Sequence, residues 1–124
     1  MCREVVVADT DEEARRLVTS GFMGRFYDQH MIQLFQGSGE SLAPGVPPEE
    51  VTAERLARDV WLVGSPATVV ERLVSEYTES GGFGTLIVFD FDYRDNPQAY
   101  RRSLELLMSE VAPKVSHLGE FAPC

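Results

Sequence analysis

Val60-Trp61-Leu62-Val63-Gly64-Ser65-Pro66, followed by Gly84-Thr85-Leu86-Ile87-Val88-Phe89 and closed by Pro113, decides the fold class. Each apolar run ends in a turn and is followed by residues apolar at helical spacing, the pattern of strand and helix in alternation. Strands joined through helices run parallel, because a parallel connection needs a crossover long enough to return the chain to its starting edge. The expectation is an α/β domain.

Working outward, Ser65 is the natural N-cap of the helix that follows the first of these strands. Pro66 occupies its first turn, where the missing N–H costs nothing, and Val69, Val70, Leu73, Val74 and Tyr77 form its apolar face. Gly81-Gly82 ends it. The run Thr85 to Phe89 is continuous enough to be a strand covered on both faces. Asn96-Pro97 then opens a helix predicted to bury Tyr100, Leu104, Leu107, Met108 and Val111, and residues after Val115 read as a tail.

Toward the N-terminus, Glu4 to Ala8 is a β-branched strand that leads into Asp9-Thr10-Asp11-Glu12-Glu13, where Thr10 and Glu13 have capping-box spacing. Three carboxylates in the first turn suit the positive end of a helix dipole. Gly21 bends or interrupts this helix, and Phe22 to Phe35 follow as an aromatic amphipathic helix. The glycines and prolines between Gly37 and Pro48 predict a flexible loop, and Glu49 to Arg58 a short polar helix. Three β/α units in one domain, residues 1–115, with a tail over 116–124, complete the reading.

Composition excludes several classes of function. With 20 acidic against 11 basic residues among 124, the net charge of −9 repels nucleic-acid backbones and anionic membranes. No window approaches the ~18 apolar residues of a membrane helix, so a cytoplasmic protein is expected. Cys2 and Cys124 stand at opposite ends and read as free thiols, and His30 and His117 lack the spacing of a helical zinc pair, so no metal site is predicted.

Candidate sites are few. The Gly64 to Thr68 turn joins a strand to a helix N-terminus, where free N–H groups and a hydroxyl either hold an anion or cap the helix. Asp90, Asp92 and Asp95 cluster beyond the last strand, as a cation or acid–base site or as a solvated helix entry. Gly81-Gly82-Phe83-Gly84 lies between helix and strand, the reverse of a dinucleotide fingerprint, and Gly37-Ser38-Gly39 lacks the lysine of a phosphate loop.

Asp59-Val60-Trp61-Leu62-Val63-Gly64-Ser65-Pro66-Ala67-Thr68-Val69, Gly81-Gly82-Phe83-Gly84-Thr85-Leu86, Tyr100 to Leu106 and Val111-Ala112-Pro113, taken in order, resemble the C-terminal end of the bacterial luciferase-like flavin-dependent monooxygenases, notably the limonene-monooxygenase-like branch. Arg3 to Thr10 and Gly24-Arg25-Phe26-Tyr27 extend the resemblance over nearly the whole chain. The resemblance implies a partial (β/α)8 TIM-barrel segment of an enzyme that uses reduced FMN, or F420, and O2 on an apolar organic substrate.

A full barrel takes roughly 250 residues. The family's main flavin contacts and catalytic residues lie in earlier strands and have no counterparts here, so no catalytic residue is assigned. The chain is expected to be a fragment or subunit, inactive alone, that associates with a complementary N-terminal barrel chain or with itself. In a completed barrel Phe26, His30, Ser65 and Phe91 would line the substrate cavity. A non-catalytic α/β oligomerisation module derived from the family is the alternative.

Overall fold

The computed structural model describes residues 1–90 and 94–119. Three strands, β1 (Cys2–Val7), β2 (Leu62–Gly64) and β3 (Ile87–Phe89), form one parallel sheet in the order β2-β1-β3. Val5 to Val7 pair with Leu62 to Gly64 on one edge of β1, and Cys2 to Glu4 pair with Ile87 to Phe89 on the other. The parallel α/β architecture is therefore as expected from the sequence. Three consecutive barrel units would instead place the strands in chain order with every helix on one face.

Both faces of β1 are covered. Val6, Ala8 and Val63 join Ala14 and Val18 of α1 (Asp11–Ser20) and Leu56 of α4 (Ala53–Asp59) in one core. Val5, Val7 and Leu62 join Val69 and Leu73 of α5 (Pro66–Glu79) and Leu106 and Val111 at the C-terminal end in the other. This follows from the alternation of strand side chains: a run of valines gives each face its own apolar set.

The caps read from the sequence are present. Glu13 N–H donates to Thr10 Oγ1, Thr68 N–H to Ser65 Oγ and Ala99 N–H to Asn96 Oδ1. Gly81 and Gly82, at φ of 80° and 99°, end α5 in the left-handed region that side chains disfavour. The aromatic helix runs as α2 (Phe22–Phe26), a π turn over Tyr27–Met31 and α3 (Ile32–Gly37). The Gly37 to Pro48 loop packs Ala43 into the first core, with Leu42 and Val46 against it.

Two expectations about burial are corrected. The strand β3 packs one face on the second core, whereas on the other Ile87 and Phe89 are 56% and 46% exposed. The C-terminal helix α6 (Pro97–Leu106) passes through a π turn over Leu107–Val111 into α7 (Ala112–Val115). It buries Ser103, Leu106 and Val111, while Leu104 and Met108 stay exposed. The widened turn adds a residue to the helical repeat, so a face counted at 3.6 residues per turn is rotated away from the core.

The segment beyond Val115 continues as a 3₁₀ turn over Ser116–Gly119, and the Tyr77 hydroxyl donates to Leu118 O. No helix among the described residues is long and apolar enough to cross a membrane.

Candidate functional site

In an open parallel sheet the crevice beyond the carboxyl ends, where the strand order reverses, is the natural place for a site. Here that is between β1 and β3. A cavity of about 290 Å³ occupies it, lined by Val6, Arg16, Ser20, Asp90, Asp95 and Tyr100, among others. The acidic cluster expected there is partly neutralised, since Asp95 forms a 2.5 Å ion pair with Arg25. Asp92 lies outside the described residues, among which no three or more His, Cys, Asp or Glu are placed to hold a metal ion.

The Gly64 to Thr68 turn at the carboxyl end of β2 already holds an anion, and it comes from within the chain. Asp11, the first residue of α1, accepts the Ser65 backbone N–H at 2.7 Å through Oδ1. That hydrogen bond, followed by one from the Thr68 hydroxyl, holds the Asp11 carboxyl below its ordinary pKa. Gly64 makes the approach possible, because a Cβ there would stand 2.8 Å from Asp11 Oδ1 and 2.8 Å from Thr68 Cγ2. One carboxylate thus serves the starts of two helices. A phosphate does not fit this turn unless Asp11 leaves it, and no basic side chain within the turn would help bind one.

Of the four residues expected to line a substrate cavity, Phe26, His30 and Ser65 are described, and the pocket bordered by Phe26 takes in neither of the other two. Phe26 borders an apolar pocket that also takes in Glu4, Tyr27 and Phe89. His30 is exposed on the π turn and tilts against Phe26, ring centroids 5.7 Å apart. Ser65 caps α5 and does not line that pocket. Phe91 lies outside the described residues. Cys2 is a free, exposed thiol.

Three polar contacts escaped the sequence reading. Beside Asp11 with Ser65, the Tyr27 hydroxyl donates to Glu4 Oε1, and burial followed by that bond raises the Tyr27 phenol well above its ordinary pKa. The Val7 N–H donates to Ser103 Oγ at 2.8 Å. Each joins residues far apart in sequence. The acid at the first position of α1 and the serine amid apolar positions of α6 were the only local signals.

A further cavity of about 360 Å³ lies between α5, β3 and the C-terminal helix, walled by Tyr77, Phe83, Leu86, Val88 and Met108. It takes in the residues just before β3, at the amino end of the sheet, away from where parallel α/β proteins place their chemistry.

No protein-family model matches the chain. Among curated proteins it is 40% identical over 115 residues to the 3,6-diketocamphane 1,6-monooxygenase of Pseudomonas putida, covering 90% of this chain and 30% of that enzyme. It is 35% identical over 119 residues to 2,5-diketocamphane 1,2-monooxygenase 1 of the same organism, covering 91% of this chain and 33% of that enzyme. A solved structure aligns with a TM-score of 0.83 at 40% identity, over 91% of this chain and 32% of the other. That structure is the oxygenating constituent of 3,6-diketocamphane monooxygenase from the CAM plasmid of Pseudomonas putida, a type II Baeyer-Villiger monooxygenase, in complex with FMN.

The resemblance to the luciferase-like flavin-dependent monooxygenases therefore holds, and the relatives reported are diketocamphane monooxygenases. The chain spans about a third of their length.

Proposed function

We propose that this chain is the C-terminal portion of a luciferase-like flavin-dependent monooxygenase that acts with reduced FMN and O2 on a small apolar organic substrate. In this reading the flavin contacts and catalytic groups lie in the remaining two thirds of the enzyme, and the chain alone is inactive. The observation that carries the proposal is the 0.83 TM-score at 40% identity to an enzyme solved with FMN, over only 32% of that enzyme.

The placement of β1 and β3 side by side, with α5 and α6 on one face, supports two neighbouring units of a barrel wall, with residues 9–61 as an excursion that returns through β2. Bound flavin would supply the redox chemistry. The chain's own part is to complete the wall and, through Phe26, His30, Ser65 and Phe91, to contribute to the substrate cavity. Its partner is a complementary N-terminal barrel chain or a second copy, in the cytoplasm.

A second reading, a free-standing interaction module of the same ancestry, is favoured by helices on both faces of β1 and by an outer edge of β3 that, among the described residues, pairs with no strand.

Titrating FMN against the chain, alone and after co-expression with the upstream two thirds of the 3,6-diketocamphane enzyme, separates the readings. The fragment reading expects no saturable quenching of flavin fluorescence by the chain alone and a co-purifying, flavin-binding complex. Stoichiometric FMN binding by the chain alone overturns the claim that the flavin contacts lie elsewhere, and a well-folded upstream part that leaves the chain unbound favours the module.

A further inference from the structure

Beside the uncovered face of β3 lies a pocket of about 280 Å³ whose walls are largely aromatic: Phe26, Tyr27, Phe35 and Phe89, with Met31 and Leu42. Among the described residues its one charged lining group is Glu4. The Tyr27 hydroxyl donates to Glu4 Oε1, and among the described residues Oε2 has no hydrogen-bond partner. The neighbouring cation is engaged elsewhere. Arg3 projects from the opposite face of β1 and pairs with Glu76 at 3.0 Å.

A carboxylate against apolar walls is poorly solvated and is stabilised by an opposite charge. Aromatic faces, negative at their centres, attract the same kind of charge, most strongly when it is weakly hydrated. Floor and walls therefore select one chemistry. A hard metal ion is unsuited, since the described residues of the pocket offer it a single carboxylate where six or more oxygens are wanted. A neutral apolar molecule would fill the walls and leave Glu4 uncompensated. The chain's net charge of −9 further concentrates cations at its surface.

We propose that this pocket binds a small organic ammonium, its cationic head between the Glu4 carboxylate and the rings of Phe26, Phe35 and Phe89. The inference concerns the chain on its own, since in the proposed enzyme the remaining two thirds would lie over this face of the sheet.

The probe is choline, titrated against the full chain near pH 7 and compared with its uncharged isostere 3,3-dimethylbutan-1-ol. Trp61, the only tryptophan, packs edge-on to Tyr27 with ring centroids 4.6 Å apart and reports occupancy by fluorescence, with calorimetry as the second readout. Choline should saturate the chain and bind at least about 10-fold more tightly than the isostere. Glu4→Gln, which keeps an acceptor for Tyr27, should weaken choline about 10-fold and leave the isostere unchanged.

Should that variant fail to fold, Phe89→Leu, at a half-exposed position, should weaken choline several-fold while sparing the isostere. Equal binding of choline and isostere overturns the proposal. So does the absence of saturation below about 50 mM on the folded wild-type chain.

Discussion

At Asp11 a single side chain links the two crossovers of the sheet. Its carboxylate stands in the first turn of α1 and accepts from the first turn of α5, 54 positions further on. Asp11→Asn keeps the acceptor and removes the charge, so it should cost about 0.5 kcal/mol at neutral pH, read from urea denaturation. Because the folded-state pKa of Asp11 is depressed, this contribution is present above the unfolded pKa, about 4, and lost as pH falls through the lower folded value. The two proteins should therefore converge in stability once the pH has fallen below that folded value. The sequence showed a helix cap at Ser65 but not its partner, because capping rules are local whereas the partner is chosen by the sheet register that sets Val7 beside Gly64.

Among the elements, those whose signals are local were the legible ones. Thr10, Ser65 and Asn96 mark helix starts and Gly81-Gly82 a helix end, each by a mechanism confined to one turn. The π turns at Tyr27–Met31 and Leu107–Val111 left no such mark, and Leu104 and Met108 were consequently assigned to the wrong face. The junction of α1 and α2 was read as a bend at Gly21, yet the tight contact is at Gly24. A Cβ on Gly24 would land on the Val18 carbonyl oxygen, whereas one on Gly37, at the end of α3, would meet nothing within 4 Å. Gly24→Ala should destabilise by about 1–3 kcal/mol by prising α2 from α1. Gly37→Ala should be neutral or gain about 0.5 kcal/mol, both changes measured by thermal unfolding.

For the whole molecule, the class of fold was readable from alternation and periodicity, but strand order was not, since nothing local says on which side of β1 a returning strand docks. The outcome leaves an uneven cover. The helices of the first core lie over β1 and β2, and Ile87 and Phe89 remain open to water on β3. An apolar strip beside an unpaired strand edge is prone to pair with another chain. If self-association uses this strip, Ile87→Lys should shift sedimentation toward the monomer with little loss of stability, because the side chain it replaces is already more than half exposed.

The stagger between β1 and β3 has a consequence for motion. The third strand stops opposite Glu4, so the amide of Val7 is held by the Ser103 hydroxyl, a group carried on α6 rather than on a strand. Deuterium uptake at that one amide is then a clock for the last helix lifting away, separate from unzipping of the sheet. In Ser103→Ala, Val7 should lose protection by an order of magnitude or more, while Val6 and Ala8, whose amides face β2, keep the wild-type rate.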